Sequence, residues 1–422
     1  MGLVLIVTTI LILPGGAFLH PLPQMTHLEG GHEGLGAVQA SPSSSSEGGP
    51  GYCVLYNGTI GYGGAQMIDD TENGYLYITG GAGINVYNGT SFHFMGYIDL
   101  LQWGLNPSAL AWNPSRDVLY AADLHSTSVE EIDGRSNQVI SNLTVPRNPQ
   151  ALAYDSMNGQ LYVGTEGWGP NPTPQVVVVN ASRWAVVDTI LLGSAPSSIA
   201  VDPASNLVFL AGGNGDNVTV INGSSNTILR SISTGEVYPG SLTFDPSTGR
   251  VYSDGGDLGN TTAEMPIIDG SDGEQIGTLA VPGTVNQVGG TPQAIVSVPY
   301  ASELFVSVPG PETPETPGTV IVNTSTGALV GKIPMVGLAW AMTMDGSTGN
   351  VLIASSGGFL YEVSPNKSCV ATQSNSSFWS STLLRAVILT VAFIAVVTLA
   401  VWWTRARRVH KGRAPKDHGD SG

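Results

Sequence analysis

Carboxylates scattered through loops are the residues of this chain whose types could do chemistry. Asp123, Glu166, Asp216, Asp254, Asp257, Glu264, Glu312 and Glu315, with Trp168 among them, fall in five uneven Gly- and Pro-rich stretches: ADLHSTS from 122, GTEGWGPNPTP from 164, AGGNGDN from 211, SDGGDLGNTTAEMP from 253 and VPGPETPETPG from 308. If such acids converged with main-chain carbonyls they would suit a hard cation such as Ca²⁺. Other chemistries lack their residues. There is no Gly-x-Ser-x-Gly elbow, P-loop, His-Glu-x-x-His, EF-hand loop or Cys-x-x-Cys-His. His93 and His125 are the only histidines between residues 51 and 371, and His93, between Phe92 and Phe94, is expected to pack on a strand. No catalytic residue is therefore assigned. The candidate ligand-binding acids and aromatic are Asp123, Glu166, Trp168, Asp254, Asp257 and Glu264.

The elements that would position them are written in a repeated phrase. PSALAWNPSRDVLYAAD from Pro107, PQALAYDSMNGQLYVGT from Pro149, PSSIAVDPASNLVFLAGG from Pro196 and PGSLTFDPSTGRVYSDGG from Pro239 share a start, Asp or Asn six residues on, and an aromatic thirteen residues on. Weaker copies start at Gly64, at Pro292 (where Val298 replaces the acid) and at Ala339 (where Leu352 replaces the aromatic). The seven starts are 42 to 53 residues apart, a period of propeller blades or helical arrays. Each unit holds four short apolar or alternating runs separated by turn residues, as in VVVVN (176–180) and VTVIN (218–222). A lone four-stranded sheet cannot bury both faces, so neighbours must stack and close. The fold expected is all-β: a seven-bladed β-propeller of four-stranded antiparallel blades over 51–371, with one C-terminal transmembrane helix.

The motifs Pro-x-x-apolar-Ala, Asp-Pro, LYVG (161–164), LYAAD (119–123) and Val-x-Val-Ile-Asn resemble the YVTN-type β-propeller repeats of archaeal and other prokaryotic surface-layer-like proteins. The resemblance covers roughly 52–371 and implies a fold more than a function. It is compatible with a cell-surface binding or surface-layer-associated protein without enzymatic activity. The alternative is a Ca²⁺-dependent propeller enzyme of lactonase or quinoprotein type, working through acidic loops at the channel mouth. Loops that enter each innermost strand and loops that follow each second strand share one face of a propeller, which places the acidic stretches together.

The ends set the compartment. Leu3–Leu13 is apolar and followed by small residues, so 1–26 reads as a signal peptide or a retained N-terminal hydrophobic segment. Residues 27–50 form a Gly/Ser-rich disordered lead-in, and 372–382 a stalk. LLRAVILTVAFIAVVTLAVWW, 383–403, has the length and apolarity of a spanning helix. The tail 404–422 carries six basic and two acidic residues, leaving nine basic against thirty acidic upstream. The positive-inside rule keeps that tail in the cytoplasm and puts the propeller outside the cell. So acidic a body repels nucleic acid; the partner expected is a protein or glycan at the cell surface.

Export also bears on cysteine and asparagine. Cys53 and Cys369, the only two cysteines, bracket the array and are expected to pair, with CVLYNGTI (53–60) completing the last blade beside SCVATQ (368–373). Sequons occur at Asn57, Asn88, Asn142, Asn180, Asn217, Asn222, Asn260, Asn323, Asn366 and Asn375, candidate glycosylation sites in an exported chain. Five of them (Asn88, Asn180, Asn222, Asn323, Asn366) occupy the same turn after a third strand, where turn geometry by itself favours Asn.

Overall fold

In a computed structural model, the structure describes residues 52–60, 64, 66–100, 107–167, 173–212, 215–234, 239–254, 262–282, 294–308 and 318–365. Strand β1 (Cys53–Thr59) comes first. The first blade is β2 (Met67–Asp70), β3 (Tyr75–Gly80), β4 (Gly83–Asn88) and β5 (Phe94–Asp99). The second is β6 (Ala109–Asn113), β7 (Val118–Ala122), β8 (Ser128–Asp133) and β9 (Gln138–Thr144). The third is β10 (Pro149–Asp155), β11 (Gln160–Thr165), β12 (Gln175–Asn180) and β13 (Ala185–Leu191). The fourth is β14 (Pro196–Asp202), β15 (Leu207–Gly212), β16 (Asn217–Asn222) and β17 (Thr227–Ser233). The fifth is β18 (Leu242–Asp245), β19 (Arg250–Ser253), β20 (Thr262–Asp269) and β21 (Gln275–Pro282). The sixth is β22 (Ile295–Val298), β23 (Glu303–Val308), β24 (Gly318–Asn323) and β25 (Leu329–Pro334). The seventh is β26 (Ala339–Met344), β27 (Val351–Ser355) and β28 (Phe359–Ser364), completed by β1.

All pairings are antiparallel, and the innermost strands touch in the cyclic order β2, β6, β10, β14, β18, β22, β26 and back to β2. This is the expected seven-bladed ring. Its core is distributed. Seven apolar clusters lie one at each junction between neighbouring blades, the closing one joining Met67, Leu76 and Ile78 to Ala341, Leu352 and Leu360. The repeated aromatic supplies the largest member: Tyr77, Tyr120, Tyr162, Phe209, Tyr252 and Phe305 are fully buried, as is Leu352 in their place in the last unit. Removing each such side chain from water contributes roughly 2–3 kcal/mol, which explains why the phrase holds an aromatic there.

The repeated acid is structural. Asp70, Asp155, Asp202, Asp245 and Asp345 each accept a main-chain N–H from the turn that follows, for example Met157 N–H on Asp155 Oδ1 at 2.8 Å and Ser247 N–H on Asp245 Oδ1 at 2.9 Å. Where Val298 replaces the acid, a 3-10 turn at Pro299–Ala301 makes the reversal and Ser302 takes a φ of 52°. On this turn face, neighbouring blades are also stapled by polar contacts. Asn73 Nδ2 donates to Asp117 Oδ1 at 2.6 Å, Ser205 Oγ to the Gly270 carbonyl at 2.8 Å, and Gly346 N–H to Asp69 Oδ2 at 2.9 Å across the closure.

Closure follows the expected mixed arrangement. β1 pairs with β28, Cys53 opposite Ser364 and Thr59 opposite Phe359, so the partner seen is 359–364, while 368–373 lies outside the described residues. Among the described residues the last unit supplies three strands from residue 339 on, and β1 takes the fourth place directly. Cys53 is buried and no free cysteine occurs among the described residues; Cys369 lies outside them. The segments 1–26, 27–50, 372–382, 383–403 and 404–422 also lie outside, and among the described residues no helix is long and apolar enough to cross a membrane. His93 is a correction: it sits in the hairpin before β5 and is exposed, while Phe92 turns inward against Tyr56.

The sequon asparagines of the shared turn have a clear local role. Asn88, Asn180, Asn222 and Asn323 each use Oδ1 to accept main-chain N–H groups two or three residues on. Asn142 is exposed on β9, Asn217 donates to Thr219 and Ser231, and Asn57 buries its Oδ1. Asn260, Asn366 and Asn375 lie outside the described residues.

Candidate binding site at the channel mouth

The register brings equivalent residues of all seven units to one height. Met67 faces Ile78, Leu110 faces Ala121, Leu152 faces Val163, Ile199 faces Leu210, Leu242 faces Ser253, Ile295 faces Val306 and Met342 faces Ile353. The residues two and three places after each start therefore ring the channel on the face of the long loops. A cavity of about 190 Å³ opens there, with every blade contributing to its wall. Its polar side chains are Gln66, Gln150, Ser197, Ser198 and Ser241, with the Trp340 indole; the rest are aliphatic, among them Met67, Leu110, Ile295 and Met342. None of the described residues that line it is charged.

Among the described residues the candidate acids do not converge on this mouth. Asp254 is fully buried behind it: Oδ1 accepts Gly240 N–H at 2.7 Å and Ser241 N–H at 2.5 Å, while Oδ2 is buried without a partner. Burial pushes its pKa up to about 7, against the hydrogen bonds from Ser241 and Gly240 that favour the anion. Its place in the repeat is singular. The register puts Thr79, Ala122, Gly164, Ala211, Ser307 and Ala354 in the equivalent positions, so Asp254 is the one carboxylate in that ring. It holds the main chain of Ser241, a lining residue, in place.

Asp123 is also buried and caps its own turn, accepting His125 N–H at 3.0 Å. Beside it Glu130 is buried on β8, with Oε1 accepting from Ser128 Oγ at 2.8 Å and Oε2 unpartnered. Burial, then the nearby Asp123 charge, pushes the Glu130 pKa up to about 7. Glu166 is half-buried and its main-chain N–H donates to the Asn148 carbonyl, joining two loops of the mouth face. Glu264 is exposed on β20, paired with Ala280, and not in a loop as its neighbours suggested. Trp168 and Asp257 lie outside the described residues, as do Glu312 and Glu315. Among the described residues no three His, Cys, Asp or Glu side chains gather as a metal site, so the arrangement required for Ca²⁺ is not assembled there.

What sequence reasoning missed is the lining itself. Gln66, Gln150, Ser197, Ser198, Ser241 and Trp340 occupy variable places inside the phrase. The signal that could have found them is departure from the repeat: a scaffold position tolerates what the consensus offers, whereas a site needs different side chains from different blades.

The architecture makes this chain a seven-bladed β-propeller. No family model matches it, and no curated protein matches it. Among solved structures it is similar to hydrazine synthase of Kuenenia stuttgartiensis, with a TM-score of 0.61 and 15% identity over 72% of this chain and 96% of that one. At that identity the likeness is one of fold.

Proposed function

We propose that the protein is a membrane-anchored extracellular propeller that binds a partner, protein or glycan, at the cell surface, and that it is not an enzyme. The observation carrying this reading is the channel mouth. All seven blades meet there in a concave wall of neutral polar, aromatic and aliphatic side chains, the composition of a recognition site. The nearby carboxylates Asp123 and Asp254 each use Oδ1 to cap main chain. The apolar stretch 383–403 with its basic tail supports the anchor, and the likeness of the repeats to YVTN-type surface proteins supports the compartment. Export also favours a Cys53–Cys369 bridge, which would fasten β1 and close the ring covalently.

Topology is tested with single added cysteines and a membrane-impermeant maleimide. Met157→Cys, at an exposed turn of the third blade, is expected to label on intact cells. Ser421→Cys in the tail is expected to label only after permeabilisation. Labelling in the reverse pattern, or of neither site before permeabilisation, would sink the extracellular reading.

A further inference from the structure

We infer that the channel mouth is a site for one neutral sugar ring, gripped between Trp340 and the polar wall formed by Gln150, Ser197 and Ser198. The inference deepens the binding function proposed above and rests on it. In the cyclic order of the inner strands, β26 lies across the channel from β10 and β14. Trp340, next to the start of β26, therefore stands opposite Gln150 on β10 and Ser197 and Ser198 on β14, and all four line the same cavity.

The chemistry of the two walls differs and is complementary to a pyranose. One side offers the Gln150 amide and the Ser198 hydroxyl, each able to donate and to accept, as sugar hydroxyls require, with the Ser197 hydroxyl as an acceptor because its proton goes to the Pro239 carbonyl at 3.2 Å. Ser198 Oγ already accepts Leu242 N–H at 3.1 Å, which leaves its proton to donate outward. The Gln150 amide makes no hydrogen bond among the described residues, and the Trp340 indole has no aromatic partner there. The opposite side offers an aromatic face, which suits the C–H face of a sugar ring. Among the described residues no lysine, arginine or carboxylate lines the cavity, so a charged ligand would meet no counter-charge from them. Size sets the same limit: about 190 Å³ is below the roughly 300–1,000 Å³ of sites for larger ligands. The natural ligand would then be a terminal neutral sugar.

The test uses the full chain, purified in a detergent without a sugar headgroup, and ligand-observed NMR titration. The probes are glucose, galactose, mannose and N-acetylglucosamine, with glucuronate as the charged control. At least one neutral sugar is expected to bind, with glucuronate tenfold or more weaker. Trp340→Ala should weaken that sugar at least tenfold, Trp340→Phe should keep most of the affinity, and Gln150→Ala should lose several-fold, all with wild-type melting. No binding by any neutral sugar at 100 mM (roughly the weak limit of such contacts) overturns the inference, as does binding indifferent to Trp340→Ala and Gln150→Ala. If the chain still labels on intact cells, that failure removes the sugar site and leaves the surface-binding reading standing.

Discussion

Replacing Arg116 by alanine is expected to destabilise the protein by about 3 kcal/mol, although Arg116 lies in a surface turn. The guanidinium is in short contact with Glu131 Oε1, and it donates to the Ala181 carbonyl of the next blade at 2.6 Å. The Glu131 side chain is only 4% exposed. Removing the cation leaves a buried carboxylate without its counter-charge, a change that costs roughly 3–5 kcal/mol; the lower figure fits a guanidinium that is itself 33% exposed. The penalty belongs to the stranded charge, so Arg116→Ala combined with Glu131→Gln should recover most of it. Denaturant unfolding of the two single variants and the double variant checks this. A double variant no more stable than Arg116→Ala would show that the guanidinium acts through packing or its bond to Ala181 instead.

Asp254→Asn is expected to change the pH dependence of stability. Asp254 holds its proton more tightly folded than unfolded, since burial raises its pKa from 3.8 to about 7. The stability this contributes is complete below about pH 4 and is lost as pH climbs through about 7. Three units at about 1.4 kcal/mol each bound the effect near 4 kcal/mol, and a value of about 2 kcal/mol is the conservative expectation. Asparagine keeps an acceptor for Gly240 and Ser241 N–H while removing the charge. The variant should match the wild type within about 1 kcal/mol at pH 5 and exceed it by about 2 kcal/mol at pH 8. Glu130, raised for the same reason, leaves a residual slope in both proteins. Parallel stability curves between pH 5 and 8 would mean that Asp254 is ionised at no cost.

These two residues also show how far the sequence could be read. Blade count, strand phase and the closing strand were legible because burial demands them. The aromatic thirteen residues into each phrase fills a junction between blades, and the acid six residues in caps a turn. Even the exceptions kept their meaning, since Val298 coincides with an altered turn and Leu352 still fills its junction. The site was not legible in the acids. Loop carboxylates look alike in sequence whether they face a ligand or their own main chain, and Asp123 and Asp254 do the latter. The channel wall was hidden for a different reason. Along an inner strand, small and apolar residues serve both the junction and the channel, so only side chains such as Trp340 and Gln150, set against their counterparts in other blades, mark the inward face.

A partner held at the channel mouth of a closed ring would slow hydrogen exchange at that mouth. The chain would be compared by mass spectrometry in its native envelope and after extraction and purification. Added protection in the envelope is predicted at the starts of the inner strands, in peptides covering 107–111, 149–153, 196–200, 239–243 and 339–343. Protection confined to the turns at 114–117, 156–159 and 203–206 on the opposite face, or no difference at all, would contradict it.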